Sequence, residues 1–450
     1  MIEKVLIAGR HLAALEAIRA CRTLGVSSVA LYRPDDAFAP YVRIADEAHV
    51  WAGDPELDAE RLLALARRSN ADAILATDAR AMDESLATAA RSAGLVWAGL
   101  PPATIRLLQD IPAFRGAAHG LGISVVPWAA VRSAEEACGF AEREGLPVIL
   151  HDPHGPTARV SSFAGIERVL DDMDDAEWII DAVPPGGTRI QVGAIRNRSG
   201  DVVALSWSTL AVGRRPGVRY APPRHLSEAA QKLVVERSSD LLTTLGVVGS
   251  VVLEWIATAD EQVHLSHAHA AVFDTSLLMT ELTGTDPTLA QLAIGLDLHL
   301  PERPTRPPVA SAVEYTVRAQ HPSSGYLPTA GRIARQQLPG GIGVRVASAL
   351  EEGAPFSGLG DTALLRILAL GRDRAESTGR GVRALSELSV HGIAHDLSAL
   401  RAVEVPGAEL SAGQLGESPS DEPLPALGET IWIDGREATL RCLPTGTRRE

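Results

Sequence analysis

The sequence predicts an α/β protein with an N-terminal parallel α/β domain, a smaller α+β unit and a larger C-terminal α+β unit. Three observations carry this reading. Residues 1–112 alternate short apolar strand-like runs with amphipathic helical segments, the pattern of a parallel sheet joined by helical crossovers. Residues 113–205 and 206–405 add strand-rich segments with hairpin signals between helices. At 450 residues the chain exceeds one ordinary domain, and its 46% hydrophobic, 22% charged composition is that of a globular protein.

The elements follow in order. Lys4 to Ala8 is a buried strand. Gly9 and Arg10 turn into a helix over Leu12 to Leu24, with Leu15, Ile18 and Leu24 at helical spacing and Gly25 as its stop. Ser28 to Tyr32 is a strand. Helices at Ala59 to Arg68 and Asp83 to Ala93 precede strands Ala73 to Ala76 and Leu95 to Ala98. The first turn has one glycine and is not a dinucleotide fingerprint. In the second unit, a helix over Ala134 to Glu144 leads to strand Pro147 to Leu150, a loop through Pro153 and Pro156, and strands Trp178 to Ala182, Arg189 to Ile195 and Val202 to Ser206. Gly200 lies in a hairpin turn between the last two. The third unit opens with a helix from Ser227 to Thr244. It continues through a helix at Leu289 to Gly295, a proline-rich connection over Pro301 to Pro308, strand-rich sequence to about Ala347 and a helix at Thr378 to Glu387. Residues 406–450 read as a flexible linker, Ser411 to Pro425, followed by a β-hairpin turning at Asp434-Gly435.

Composition excludes several function classes. A formal charge of −14 repels phosphate backbones, so nucleic acid is not an expected partner. Three scattered cysteines in no CxxC pair give neither a disulfide framework nor a zinc motif and fit a reducing compartment. The N-terminus enters a strand without a signal-peptide pattern, and no apolar run approaches a membrane span, so a cytoplasmic location is expected.

One stretch concentrates chemistry. Val251 to Trp255 forms an apolar strand carrying Glu254, Ala259 to Glu261 a turn, and a second strand carries His264, His267 and His269, followed by a helical run to Asp286. An ATP-dependent ligase holds its magnesium-gripping acids on such a hairpin. On a strand, His267 and His269 share a face, and with Glu254 they make a His/His/carboxylate set, while His264 alternates to the opposite face. The alternative reading is a strand-end carboxylate in a salt bridge beside half-exposed histidines with no metal.

Several pieces in order resemble the biotin carboxylase family: Lys4 to Ala8, Ile18 to Gly25, Ile44 to Ala48, Ala98-Gly99 with Thr104 to Arg106, Gly122 to Pro127, Gly145 to Ile149, Gly325 to Ile333, Pro339 to Arg345, Ala384 to Leu388 and Gly392-Ile393. The resemblance covers roughly residues 1–400. It implies an ATP-grasp fold with N-terminal (1–112), lid-like (113–205) and core plus C-terminal (206–405) domains, ahead of the 406–450 tail.

The resemblance also implies a list of departures. The family's two phosphate-holding lysines match Ile111 and His151, and its adenine-binding hinge matches Asp181-Ala182. A glycine-rich lid loop becomes Pro153 to Arg159. A further lysine falls near Val218. Of the two metal glutamates, the first matches Glu254 and the second His267. The asparagine beside it matches His269, the catalytic arginine Ala271, and the proposed base falls near Thr275. Arg345 is retained, from the bicarbonate and biotin pocket. Arg19 and Arg374 match positions at the family's dimer surface, and Arg214 and Arg215 match two arginines of the active-site strand. The expectation is a catalytically silent biotin carboxylase-like subunit with a structural or regulatory role. Its partners would be active biotin carboxylase or carboxyltransferase subunits in a homo- or hetero-oligomer. No cofactor is expected, and without a Met-Lys-Met motif no biotin is carried. The alternatives are a divergent enzyme, either a ligase using ATP and magnesium with Arg159, Arg189, Arg214 and Arg215 as substitute cations or a metal-dependent activity using Glu254 and the histidines, and a small-ligand sensor anchored by Arg345.

Overall fold

A computed structural model describes residues 2–51, 59–151, 157–170, 177–184, 187–210, 217–223, 226–271, 276–299, 310–322, 326–358, 362–403, 430–433 and 436–439. The loop through Pro153, the Arg214-Arg215 pair, Thr275, the Pro301 to Pro308 connection, the Ser411 to Pro425 linker and the Asp434-Gly435 turn lie outside the described residues.

The N-terminal sheet has five strands: β1 (Lys4–Ala8), β2 (Ser27–Tyr32), β3 (Glu47–Val50), β4 (Ala73–Ala76) and β5 (Val96–Trp97), in the order β3-β2-β1-β4-β5. Every pairing is parallel, as the alternation of strands and helices predicts. The helix His11–Leu24 stops where Gly25 takes the left-handed conformation at φ 73°. Two further helices, Pro102–Gln109 and Ile111–Gly120, are not marked by the sequence reading.

A smaller sheet follows, from β6 (Trp128–Val131), β7 (Val148–His151), β8 (Thr157–Val160) and β9 (Trp178–Ala182), in the order β6-β9-β7-β8. The helix Ala134–Glu144 beside it is capped by Ser133, whose hydroxyl accepts from the Glu136 N–H at 3.1 Å.

The eight-stranded sheet contains β10 (Thr188–Arg196), β11 (Val202–Leu210), β12 (Val218–Ala221), β13 (Gly249–Ala257), β14 (Val263–Ala270) and β15 (Ser311–Arg318), with strands Ala363–Gly371 and Val344–Ser348 beyond. Its order places β14 at one edge, then β13, β10, β11, β12 and β15. The β10–β11 hairpin turns at Gly200, φ 97°. Strand Ala363–Gly371 corrects the sequence reading, which ends the strand-rich stretch near Ala347.

Every residue of β13 is buried, because β10 and β14 flank it and helices cover the sheet. Its Trp255 indole N–H donates to Ser238 Oγ at 3.1 Å. The helix Pro287–Gly295 joins this sheet to the N-terminal one. Gln291 accepts from the Ser250 N–H at 2.8 Å and donates to the Ala98 carbonyl at 3.1 Å. Near the C-terminus, Thr430–Ile433 pairs antiparallel with Arg436–Thr439 as the expected hairpin.

Candidate functional site

The site lies where the small sheet, the helix Ile111–Gly120 and the β13–β14 edge meet. The β13–β14 register sets Glu254 opposite His267 and Val252 opposite His269, so the carboxylate and two imidazoles share one region of the sheet. One ligand atom from each of Glu254, His267 and His269 lies within 4.8 Å of the others. The register shifts between Glu254 and Trp255, after which Trp255 faces Leu265 and Ile256 faces His264. This irregularity overrides the simple alternation used to orient His264. That histidine is outside the cluster, with Nδ1 2.8 Å from Ser124 Oγ.

Glu254 is buried and held on both oxygens. Gln191 Nε2 donates to Oε1 at 3.2 Å, and the Arg189 guanidinium, from β10, contacts Oε2. His267 Nε2 lies 3.8 Å from the same Oε2, while its Nδ1 is 3.1 Å from Ser266 Oγ. Burial alone would raise the Glu254 carboxyl. His267, Arg189 and His269 hold it low instead, and Arg189 is the permanent charge among them. Burial lowers His267 to about 4 despite the Glu254 charge, so its imidazole is neutral near pH 7.

His151, at the end of β7, continues the arrangement. Its ring centroid is 6.1 Å from that of His267, and its Nε2 is 2.7 Å from Asp181 Oδ2. Asp181 is buried in β9 and also takes two hydrogen bonds from Arg115, at 2.6 and 2.7 Å. Burial pushes the Asp181 carboxyl up, and the His151 and Arg115 contacts outweigh it, leaving it below the usual carboxylate range. Arg115 is fully buried. Its Nε donates to the Ser266 carbonyl at 2.9 Å, and its guanidinium carbon sits 5.6 Å from the Trp128 ring centre.

Arg115 is the residue that sequence reasoning missed. Its signal was a lone arginine in the otherwise uncharged run Ile111 to Ala118. The remaining sequence candidates sit apart. Ile111 is half-buried in the first turn of its helix, behind the Asp110 cap. Val218 is buried in β12 and Arg159 is exposed on β8. Arg345 is exposed on strand Val344–Ser348, with Nε 3.3 Å from Glu281 Oε1. Arg19 is exposed on the first helix. Arg374 is half-buried, donating to the Pro222 carbonyl at 3.0 Å and lying over Tyr220 at 5.5 Å. Among the described residues no helix is long and apolar enough to cross a membrane.

A parallel N-terminal sheet, a small four-stranded sheet and an eight-stranded sheet, the last two meeting at a cluster of charged and imidazole side chains, define an ATP-grasp-type α/β protein. Residues 1–105 match the biotin carboxylase N-terminal domain and residues 314–408 the biotin carboxylase C-terminal domain, so the chain is biotin carboxylase-like at both ends. It is 28% identical over 433 residues to the biotin-dependent acyl-coenzyme A carboxylase alpha3 subunit of Mycobacterium leprae, covering 89% of this chain and 71% of that one. It is 26% identical over 422 residues to biotin carboxylase 1 of Bacillus subtilis, covering 87% and 92%. Among solved structures, the biotin carboxylase domain dimer of Hydrogenobacter thermophilus 2-oxoglutarate carboxylase, in complex with MgADP, ADP and bicarbonate, superposes with TM-score 0.82. It is 22% identical, over 90% of this chain and 94% of that one. A Campylobacter jejuni biotin carboxylase in a β,γ-ATP complex gives 0.81 at 19% identity, over 90% and 95%. At these identities the structures speak to the fold alone.

Proposed function

We propose that this chain is a catalytically silent, biotin carboxylase-like subunit with a structural or regulatory role in a biotin-dependent acyl-CoA carboxylase complex. The observation that carries this is His151. It stands where the resemblance places a phosphate-holding lysine, and it is turned into the Asp181–Arg115 ion pair. An imidazole tied to a buried carboxylate offers neither the reach nor the permanent charge that a triphosphate needs. The family's other phosphate-holding lysine, the first in chain order, matches Ile111, which has no charge to offer. Phosphoryl transfer depends on electrostatic stabilisation, so these losses bear on the reaction as well as on binding.

The donor set also does not fit Mg-ATP. Magnesium prefers six oxygen ligands and retains water, whereas this cluster supplies one carboxylate and two imidazoles, with Arg189 against that carboxylate. The names of the relatives support the assembly role, because the Mycobacterium leprae match is itself a carboxylase subunit.

Calorimetric titration of the purified chain with Mg-ATP tests the reading. The expected result is no saturable binding tighter than about 100 μM, roughly 5.5 kcal/mol. Tighter binding overturns it and favours a divergent ATP-grasp ligase in which Arg189, already against Glu254, is one rebuilt cation. The assembly role is tested by co-purification from the native host, which should recover a biotinylated carboxylase subunit. A chain recovered alone counts against it.

A further inference from the structure

Glu254, His267 and His269 form a compact mixed donor set whose chemistry differs from that of a magnesium site. We infer that they bind a borderline divalent transition-metal ion, of the Zn2+, Co2+ or Ni2+ class, in place of a hard alkaline-earth ion. The inference does not rest on the subunit being silent.

Three features of the geometry support it. First, the donors come from the paired strands β13 and β14, with Glu254 directly opposite His267, so backbone hydrogen bonds fix their relative positions. The donor atoms lie within 4.8 Å of one another, and His267 Nε2 is 3.8 Å from Glu254 Oε2. Donors of a tetrahedral ion bonded at about 2.0–2.1 Å stand roughly 3.3 Å apart, so closure needs side-chain rotation and no movement of the strands. Second, the donors are oriented from outside. Ser266 Oγ lies 3.1 Å from His267 Nδ1, leaving Nε2 toward the cluster, and Gln191 Nε2 holds Glu254 Oε1 at 3.2 Å. Such outer partners set imidazole and carboxylate orientation in metal centres. Third, two imidazoles and one carboxylate match the preferences of borderline ions and leave a fourth tetrahedral position for water.

Arg189 is the competitor. Its guanidinium contacts Glu254 Oε2, and a metal ion has to displace it. Its side chain is 46% exposed, so it can turn into solvent without stranding a buried charge. His151 keeps Nε2 on Asp181 and stands beside the cluster as a neighbour.

The experiment uses the full chain, stripped with chelator, and titrates Co2+ by visible absorption and Zn2+ by competition. One equivalent should bind, and excess Mg2+ should not displace it. His267→Ala and His269→Ala should each weaken binding by at least about 100-fold, since loss of an outer partner alone costs 10–100-fold. His264→Ala should leave binding unchanged, because His264 is outside the cluster. Arg189→Ala should tighten binding roughly two- to fivefold, the worth of a half-exposed ion pair, whereas a purely structural Arg189 predicts no gain. Circular dichroism of each variant, with His269→Asn as a milder second change, separates ligand loss from misfolding. Absence of stoichiometric binding, or binding that survives the His267→Ala/His269→Asn double change, overturns the inference. Neither outcome bears on Mg-ATP titration, which tests the silent-subunit reading separately.

Discussion

The guanidinium of Arg115 and the carboxylate of Asp181 meet edge to edge, with Nη1 2.6 Å from Oδ1 and Nη2 2.7 Å from Oδ2, both side chains essentially excluded from water. Their backbones belong to different units, the helix Ile111–Gly120 and β9 of the small sheet. A bidentate pair at this depth is held by geometry as much as by charge.

Arg115→Met leaves Asp181 buried with His151 as its remaining side-chain partner. Breaking one side of a buried pair costs about 3–5 kcal/mol. The double change Arg115→Met/Asp181→Leu should recover part of that loss, because no uncompensated charge remains. Urea unfolding midpoints of the three chains check both statements.

Restoring the family's residue at one position should not restore the nucleotide site. In His151→Lys the new ammonium stands beside the buried Asp181 carboxylate that His151 now contacts, and that carboxylate holds it. Calorimetry with Mg-ATP should show no saturable binding in this single variant.

Stability should also fall across a defined pH window. Burial pushes the Asp396 carboxyl up from 3.8 to about 6, against the Arg318 N–H that donates to its Oδ1 at 2.9 Å. Folding therefore favours the protonated form. That contribution is fully present below the unfolded value and is lost as pH rises through about 6. It amounts to something on the order of 3 kcal/mol. Asp396→Asn keeps the acceptor and removes the charge, so its denaturation midpoint should vary less between pH 4 and 6 than that of the parent. Parallel profiles for the two chains would count against this account.

Gly295 closes its helix against the N-terminal sheet, and a Cβ there would lie 2.4 Å from the Ala98 carbonyl oxygen. Gly295→Ala should cost about 1–3 kcal/mol through overpacking. Surface Gly139, where a Cβ meets open space, provides the control, and Gly139→Ala should be neutral or stabilising on differential scanning calorimetry.

Elements were legible where local chemistry and final environment agree. The helices Ala59–Arg68 and Ala134–Glu144 and the strands Ala73–Ala76 and Trp178–Ala182 keep the bounds that the sequence predicts. Helix Ile111–Gly120 carries Pro112, Gly116 and Gly120, which read as breakers, yet the proline occupies the first turn, where its missing N–H costs nothing. Strand Ala363–Gly371 is buried along most of its length, so it lacks the alternation that marks a strand with one wet face. The shared face of His267 and His269 followed from strand periodicity, while the place of Glu254 opposite His267 is set by the pairing of β13 with β14. The position of His264 did not follow from periodicity, because the register shift beside Trp255 depends on the partner strand. Arg115 was out of reach for a similar reason, since its partners come from other units of the chain.

Those partners set the time at which Arg115 acts. Asp181 is 66 residues away in sequence and the Ser266 carbonyl 151 residues away. A contact that closes loops of this size forms only after much of the chain entropy has been lost. A contact absent from the folding transition state alters the escape rate from the native state more than the rate of reaching it. Arg115→Met is therefore expected to show first as faster unfolding in stopped-flow kinetics, with refolding little changed.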